Sequence, residues 1–238
     1  MPDQPEPEQA PEPALTARGI CMRGPWGPVY GPIDLDIEAG GVTVLHCPPG
    51  SGRTALLMTL AGRMRPMSGE LTVFGRTRAP DIFRVAGLAG FDEVDPIPQS
   101  VTVRDLVTEQ VRWDAPWYRL IPRAGEAELA AVCGPVFGEL PLPPLGEYVG
   151  ELSELDRMLL RIALANTRRP ALLVAGNLDD VAADHSRDQL VRRLIALGER
   201  QTVITATVNE VVGHDVRARI PVPNTSRAEL AHRQKGDQ

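Results

Sequence analysis

Cys47-Pro48-Pro49-Gly50-Ser51-Gly52-Arg53-Thr54 is the stretch whose reading decides the fold. Ahead of it, Val42-Thr43-Val44-Leu45 is a nearly continuous apolar run suited to a strand buried on both faces. Behind it, Leu56, Leu57, Leu60, Ala61 and Met64 recur at helical spacing from Thr54 onward. A glycine-containing loop between a strand and a helix brings backbone N–H groups to a helix N-terminus, an arrangement that can hold phosphate. The general pattern of such loops is G-x-x-x-x-G-K-[ST], where the lysine reaches the β- and γ-phosphates and the hydroxyl reaches Mg²⁺. Here Cys47 stands at the first glycine and Arg53 at the lysine. Arg53 keeps the positive charge, but a broad planar guanidinium does not pack around phosphates as a compact ammonium does. Thr54 suits the Mg²⁺ hydroxyl, and it equally suits a helix cap that needs no nucleotide. Taken alone, the loop leaves a glycine-rich turn without a ligand as an open reading.

Working outward, Leu15–Cys21 and Ile33–Ile37 read as strands flanking a Gly/Pro-rich loop over 23–32. The alternation in Ile33-Asp34-Leu35-Asp36-Ile37 marks a half-buried strand. Glu70–Phe74 reads as a further strand, and the patterns over 101–111, 127–133 and 155–165 as helices. Then follow a buried strand at 171–175, a helix at 185–197 and a strand at 202–207. Strands alternating with helices predict an α/β fold with a mainly parallel sheet, into which a mainly helical segment, about 95–165, is inserted. One domain is expected over 15–221. The segment 1–14, with Pro2, Pro5, Pro7, Pro11 and Pro13 among Asp3, Glu6, Glu8 and Glu12, reads as a disordered tail, and 222–238 as a polar C-terminal tail.

The 238 residues are 43% hydrophobic and 24% charged, the composition of a soluble globular protein, and no run of about 18 apolar residues is present to span a bilayer. The start of the chain has neither the basic nor the apolar stretch of a signal peptide, so a cytoplasmic location is expected. A net charge of −6 and scattered basic residues argue against a nucleic-acid partner. The basic set is arginine throughout save for Lys235, a bias that makes the exchange at position 53 compositionally easy. Cys21, Cys47 and Cys133 read as reduced thiols, and His46, His185, His214 and His232 show no metal-ligand spacing.

The surroundings of the loop carry a resemblance. Gly50-Ser51-Gly52-Arg53-Thr54, then Leu56-Leu57, Leu60-Ala61-Gly62 and Arg65-Pro66-Met67-Ser68-Gly69-Glu70-Leu71, resemble the ATP-binding cassette family of transporter subunits. Val101-Thr102-Val103-Arg104 is similar to the start of that family's helical insert, and Val149-Gly150-Glu151-Leu152-Ser153 to the lead into its signature motif. Pro170-Ala171-Leu172-Leu173-Val174 resembles the strand of its second nucleotide motif. The resemblance implies a P-loop NTPase fold with an N-terminal antiparallel β subdomain and an inserted helical subdomain. It implies ATP with Mg²⁺ as ligand, held by Gly50, Ser51, Gly52, Arg53, Thr54 and Ala55, with the Thr54 hydroxyl on the metal and Trp26 stacking on adenine; Tyr30 is the rival for that ring. It also implies a transmembrane transporter subunit as partner, a second cassette as homodimer or heterodimer partner, and a place at the inner face of the membrane through the membrane subunit.

Several positions depart from the family pattern. Where the second motif has Asp and then Glu, this chain has Gly176 and Asn177; Gly176 offers no metal ligand, and Asn177 can orient a water but cannot take its proton. Asp179 and Asp180 would replace them only through a slip of register, and otherwise read as solvated loop carboxylates. The signature L-S-G-G-Q is Leu152-Ser153-Glu154-Leu155-Asp156, so Ser153 is retained while both glycines are lost. Val208 occupies the place of the γ-phosphate histidine, Ala182-Ala183 that of a Leu-Asp pair, and the expected glutamine is not found over 90–92, although Gln99 lies further on. The expectation is therefore a cassette with weak or absent ATP binding and negligible hydrolysis, acting as a structural or regulatory partner. A working transporter ATPase, alone or in a heterodimer, is the alternative, and a phosphate-loop kinase outside transport is a third class that the helical insert speaks against. The 113–121 stretch, with Trp113, Pro116, Trp117 and Tyr118, is either a docking surface or packed within the insert.

Overall fold

Strand β3 (Gly41–His46) is buried from Val42 to Leu45, as its apolar run requires, and pairs in parallel with two neighbours, β7 (Thr202–Thr207) and β8 (Ala218–Pro221). The structure is a computed structural model that describes residues 13–25, 27–47, 52–91 and 96–222. With β5 (Ala86–Ala89) and β6 (Leu172–Asn177), these strands form a five-stranded sheet of order β5-β6-β7-β3-β8, parallel at every pairing. All of β7 is buried, and its threonines are accommodated by using their hydroxyls: Thr205 Oγ1 donates to the Gly176 carbonyl at 2.7 Å, and Thr202 Oγ1 accepts from Gly40 N.

A second, antiparallel sheet has the order β2-β1-β4, built from β1 (Pro13–Gly24), β2 (Gly27–Glu38) and β4 (Ser68–Val73). Here the strands are longer than the sequence pattern suggests. β1 begins at Pro13, and the stretch read as a loop over 23–32 is mostly strand, because its irregularities are absorbed as register shifts within the β1–β2 pair. Gly31 lies at φ 92°, and a Cβ there would meet the Ile20 carbonyl oxygen at 2.2 Å, so the bulge depends on glycine.

Helix α1 (Arg53–Leu60) packs with the antiparallel sheet on one face of the parallel sheet, in a core that includes Ile20, Leu35, Leu45, Leu56, Leu57, Leu60, Val174 and Ile204. After β4, a short helix α2 (Ala79–Phe83) precedes β5. Between β5 and β6 the chain forms α3 (Val103–Asp114), α4 (Glu126–Phe137) and α5 (Glu154–Ala165), and α6 (Asp184–Gly198) joins β6 to β7. These four helices share the second core with Val42, Val44, Leu173, Ala175 and Val203 from the other face of the sheet. The pattern at 127–133 extends in the structure to Phe137, across Pro135, because Val136 and Phe137 are fully buried and their packing outweighs the lost backbone bond. Among the described residues, no helix is long and apolar enough to cross a membrane.

Candidate nucleotide site

In an open parallel sheet, ligands bind beyond the carboxyl ends of the strands. At that edge, the residues leaving β3, β6 and β7 converge: His46 and Cys47, Asn177 to Asp179, and Thr207 to Asn209. The start of α1 faces them. Its N-cap is Gly52, at φ 117°, where a Cβ would lie 2.1 Å from the Val29 carbonyl oxygen, so glycine is required for α1 to sit against β2. Arg53, Thr54 and Ala55 are the first three helical residues, each half-buried. Thr54 therefore follows the cap rather than serving as one. Gly50, Ser51 and Trp26 lie outside the described residues. Tyr30 is a core residue, 7% exposed, whose hydroxyl donates to Thr59 Oγ1, and this removes it as a ring for adenine.

The side chain of Arg53 is committed. Its Nη1 donates to Asp179 Oδ2 at 2.9 Å, in an ion pair whose side chains are 20% and 16% exposed. Asp179 also accepts from Val208 N at 2.8 Å, Thr207 Oγ1 at 2.8 Å and Asn209 Nδ2 at 2.9 Å. Burial would raise its pKa, but these four donors together outweigh burial and hold the carboxyl below its ordinary value. The reading of Asp179 as a solvated loop carboxylate is thus corrected: it is the anchor of this edge. Cys47, at the first glycine position of the loop pattern, is buried, and burial pushes its thiol up to about 11, against a lowering by Arg53 and with a raising by Asp179. It is a neutral packing group rather than a nucleophile.

Gly176, where the resemblance leads one to expect a metal carboxylate, is closed in by backbone. A Cβ on Gly176 would lie 2.2 Å from the Gly90 carbonyl oxygen, and Gly90 itself, at φ 81°, would bring a Cβ within 2.7 Å of Met158 Sδ. The ends of β5 and β6 therefore touch where an aspartate side chain would have to begin. Beside it, the Asn177 Oδ1 is buried with no hydrogen-bond donor among the described residues. Val208, in place of the histidine, contributes only its main chain: its N–H goes to Asp179, and its carbonyl is 2.9 Å from His46 Nε2.

Residues 30–180 match the family model described as ABC transporter. The chain belongs to this family. An uncharacterized ABC transporter ATP-binding protein of Mycobacterium tuberculosis is 31% identical over 171 residues, which are 71% of this chain and 22% of that protein. The sulfate/thiosulfate import ATP-binding protein CysA of Mycolicibacterium paratuberculosis is 28% identical over 204 residues, 83% of this chain and 53% of that protein. The chain thus spans about half or less of these curated relatives. Among solved structures, an ABC transporter ATP-binding protein from Pyrococcus furiosus superposes with a TM-score of 0.66 at 20% identity, covering 87% of this chain and 96% of that one. The likeness of fold extends to an ATP-binding cassette in its ADP conformation, with a TM-score of 0.65 at 16% identity, over 92% of this chain and 94% of that one.

Ser153, which the resemblance places in a signature motif, is the N-cap of α5. Its Oγ accepts from Asp156 N at 3.0 Å and donates to Asp156 Oδ2 at 2.7 Å. Glu154 Oε2 accepts from Ala182 N at 2.8 Å, tying the signature segment to the residues that follow β6 in the same chain. Ser153→Ala is expected to lower stability by about 1 kcal/mol, a fall in Tm of about 2–4 °C for a chain of this size, and to leave nucleotide affinity unchanged. Thermal unfolding and a binding titration check both halves.

Asp179 is the residue that the sequence alone did not bring to the site. Its signal was the Asp179-Asp180 pair just beyond a buried strand that ends in Asn177, but the partner that gives it meaning is far away in the chain.

Proposed function

We propose that this chain is a cassette subunit of a membrane transport complex in which ATP binding is weak and hydrolysis negligible, and that it serves as a structural or regulatory partner. The carrying observation is the Arg53–Asp179 ion pair. The cation that would meet nucleotide phosphates already holds a carboxylate of its own chain, and phosphate must displace that carboxylate, which three further hydrogen bonds keep in place, to reach it. The catalytic side supports the same reading. Gly176 leaves no room for a metal-binding acid, and Asn177 supplies no base to the attacking water. The residues present do not fit a Mg²⁺ site of the usual kind, because the Thr54 hydroxyl stands without a carboxylate at 176 to face it. On this reading the partners are a transmembrane subunit and a second cassette, in a homodimer or heterodimer, and the place is the cytoplasmic face of a membrane; nucleic acid is not among the partners.

The test is equilibrium ATP binding and ATP turnover by the purified chain, with and without Mg²⁺. Millimolar affinity that Mg²⁺ does not tighten, with no turnover above background, is expected. Micromolar affinity, or Mg²⁺-dependent turnover abolished by Thr54→Ala, would overturn the reading in favour of a working transporter ATPase.

A further inference from the structure

The loop over 115–125, which follows α3, carries the largest exposed apolar side chains of the described residues. Trp117 is 95% exposed, Leu120 97% and Tyr118 74%, and Trp113, in the last turn of α3, is 74% exposed. Trp117 and Tyr118 meet edge to face, with ring centroids 6.0 Å apart, so the two rings pack on each other rather than on the core. The reading in which these rings fill the insert is therefore set aside.

The base of the loop is braced. Thr108 Oγ1 accepts from Ala124 N, Arg104 Nη1 donates to the Ala124 carbonyl at 2.6 Å, Arg112 donates to the Ile121 carbonyl through Nε and Nη2, and Arg123 pairs with Asp105 at 2.9 Å. A turn closed by Arg119 N on the Pro116 carbonyl sets the tip. The result is a fixed pedestal with an apolar point, not a frayed connection. Its charge is equally one-sided. Residues 115–125 include Arg119 and Arg123 and no carboxylate, in a chain of net charge −6. On the adjoining helix α3, Asp105 and Asp114 are matched by Arg123 and Arg168, and the third carboxylate, Glu109, which accepts from Trp113 Nε1, stands against Arg104 and Arg112, whose own bonds go to carbonyl oxygens that carry no net charge.

We propose that this loop is a membrane-surface wedge: Trp117, Tyr118 and Leu120 enter the headgroup region of an anionic bilayer, with Arg112 and Arg119 against its phosphates. Trp and Tyr have an apolar body and a polar edge that suit that layer, and arginines flanking them add attraction to negative lipid. Charge complementarity decides the occupant, because Arg104, Arg112, Arg119, Arg123 and Arg168 outnumber the carboxylates beside them, Asp105, Glu109 and Asp114, in a chain that is acidic overall. The proposal concerns a surface apart from the nucleotide site and stands or falls separately from it.

The test is co-sedimentation of the full chain with vesicles of phosphatidylcholine alone or with one-third phosphatidylglycerol. Binding to the anionic vesicles is expected, weakened by salt. A Trp117→Glu, Leu120→Glu double variant should bind about tenfold less well or worse. Both side chains are fully exposed, so the variant should keep the unfolding midpoint of the parent. Brominated lipid should quench tryptophan emission in the parent and quench it less in Trp117→Phe. Equal binding to neutral and anionic vesicles, no vesicle binding, or undiminished binding by the double variant would each overturn the proposal. So would a double variant that still binds vesicles but no longer co-purifies with a membrane subunit, since that marks the loop as a protein contact.

Discussion

Gly176→Asp, which on the proposed reading supplies a metal ligand that the chain lacks, is expected to destabilise the protein rather than to create a Mg²⁺ site. The Cβ of any side chain at 176 would fall 2.2 Å from the Gly90 carbonyl oxygen, and the obstacle is backbone. The approach is close from both sides: a Cβ on Gly90 would in turn lie 3.2 Å from Gly176 N and 2.7 Å from Met158 Sδ. Overpacking against such a neighbour costs about 3 kcal/mol or more, a fall in Tm of about 6–12 °C at this size. Gly176→Ala should lose nearly as much, because the β-carbon and not the charge causes the clash. Thermal unfolding of the two variants beside the parent decides the matter. If Gly176→Asp melts with the parent and binds Mg²⁺ in the presence of ATP, the contact between the ends of β5 and β6 is looser than the geometry states, and the metal half of the proposed function fails with it.

The second large effect is expected at Asp179. Asp179→Asn removes the negative charge while keeping one carbonyl oxygen to accept hydrogen bonds. Arg53 is then free for phosphate, and ATP affinity should rise about tenfold, equivalent to about 1.4 kcal/mol. Stability should fall by about 1–3 kcal/mol, because the variant gives up charge-assisted hydrogen bonds and strands a mostly buried guanidinium. The two readouts move in opposite directions, which separates release of Arg53 from general damage. The pH dependence follows with its sign. The native carboxyl is held below its ordinary value of 3.8, so its contribution is present above that value and is lost as pH falls through the depressed native one. The parent should therefore lose stability in acid below about pH 4 more steeply than Asp179→Asn does. An affinity for ATP unchanged by the substitution would show that the ion pair does not guard the loop.

Much of the fold was legible because its strands advertise burial. Thr202–Thr207 and the run around Val44 are apolar or hydroxyl-bearing without interruption, and both are strands buried on two faces. The strands at 86–89 and 218–221 were not legible: four residues such as Ala-Gly-Leu-Ala hold too little alternation to stand out from a turn, and the sheet around them supplies what the local pattern lacks. The β1–β2 pair misled in the opposite sense, since Gly and Pro mark loops in isolation but here form bulges in a continuing strand. At the site, that position 176 carries glycine and no acid could be read directly. That the Gly90 backbone lies against Gly176 could not, and neither could the partnership of Arg53 with Asp179, because both depend on elements brought together by the sheet rather than by spacing along the chain.

The alternation of side chains across the central strands has a consequence for cooperativity. Val42 and Val44 of β3 point into one core and Leu45 into the other; β6 divides Leu173 and Ala175 from Leu172 and Val174, and β7 divides Val203 from Ile204 and Ala206. Each core is thus one face of the same three strands. Neither the antiparallel sheet nor the helical layer can come away without stripping a face from the strands that frame the nucleotide edge. The two layers share one melting event instead of two, and damage sustained far out in either is registered at β3, β6 and β7.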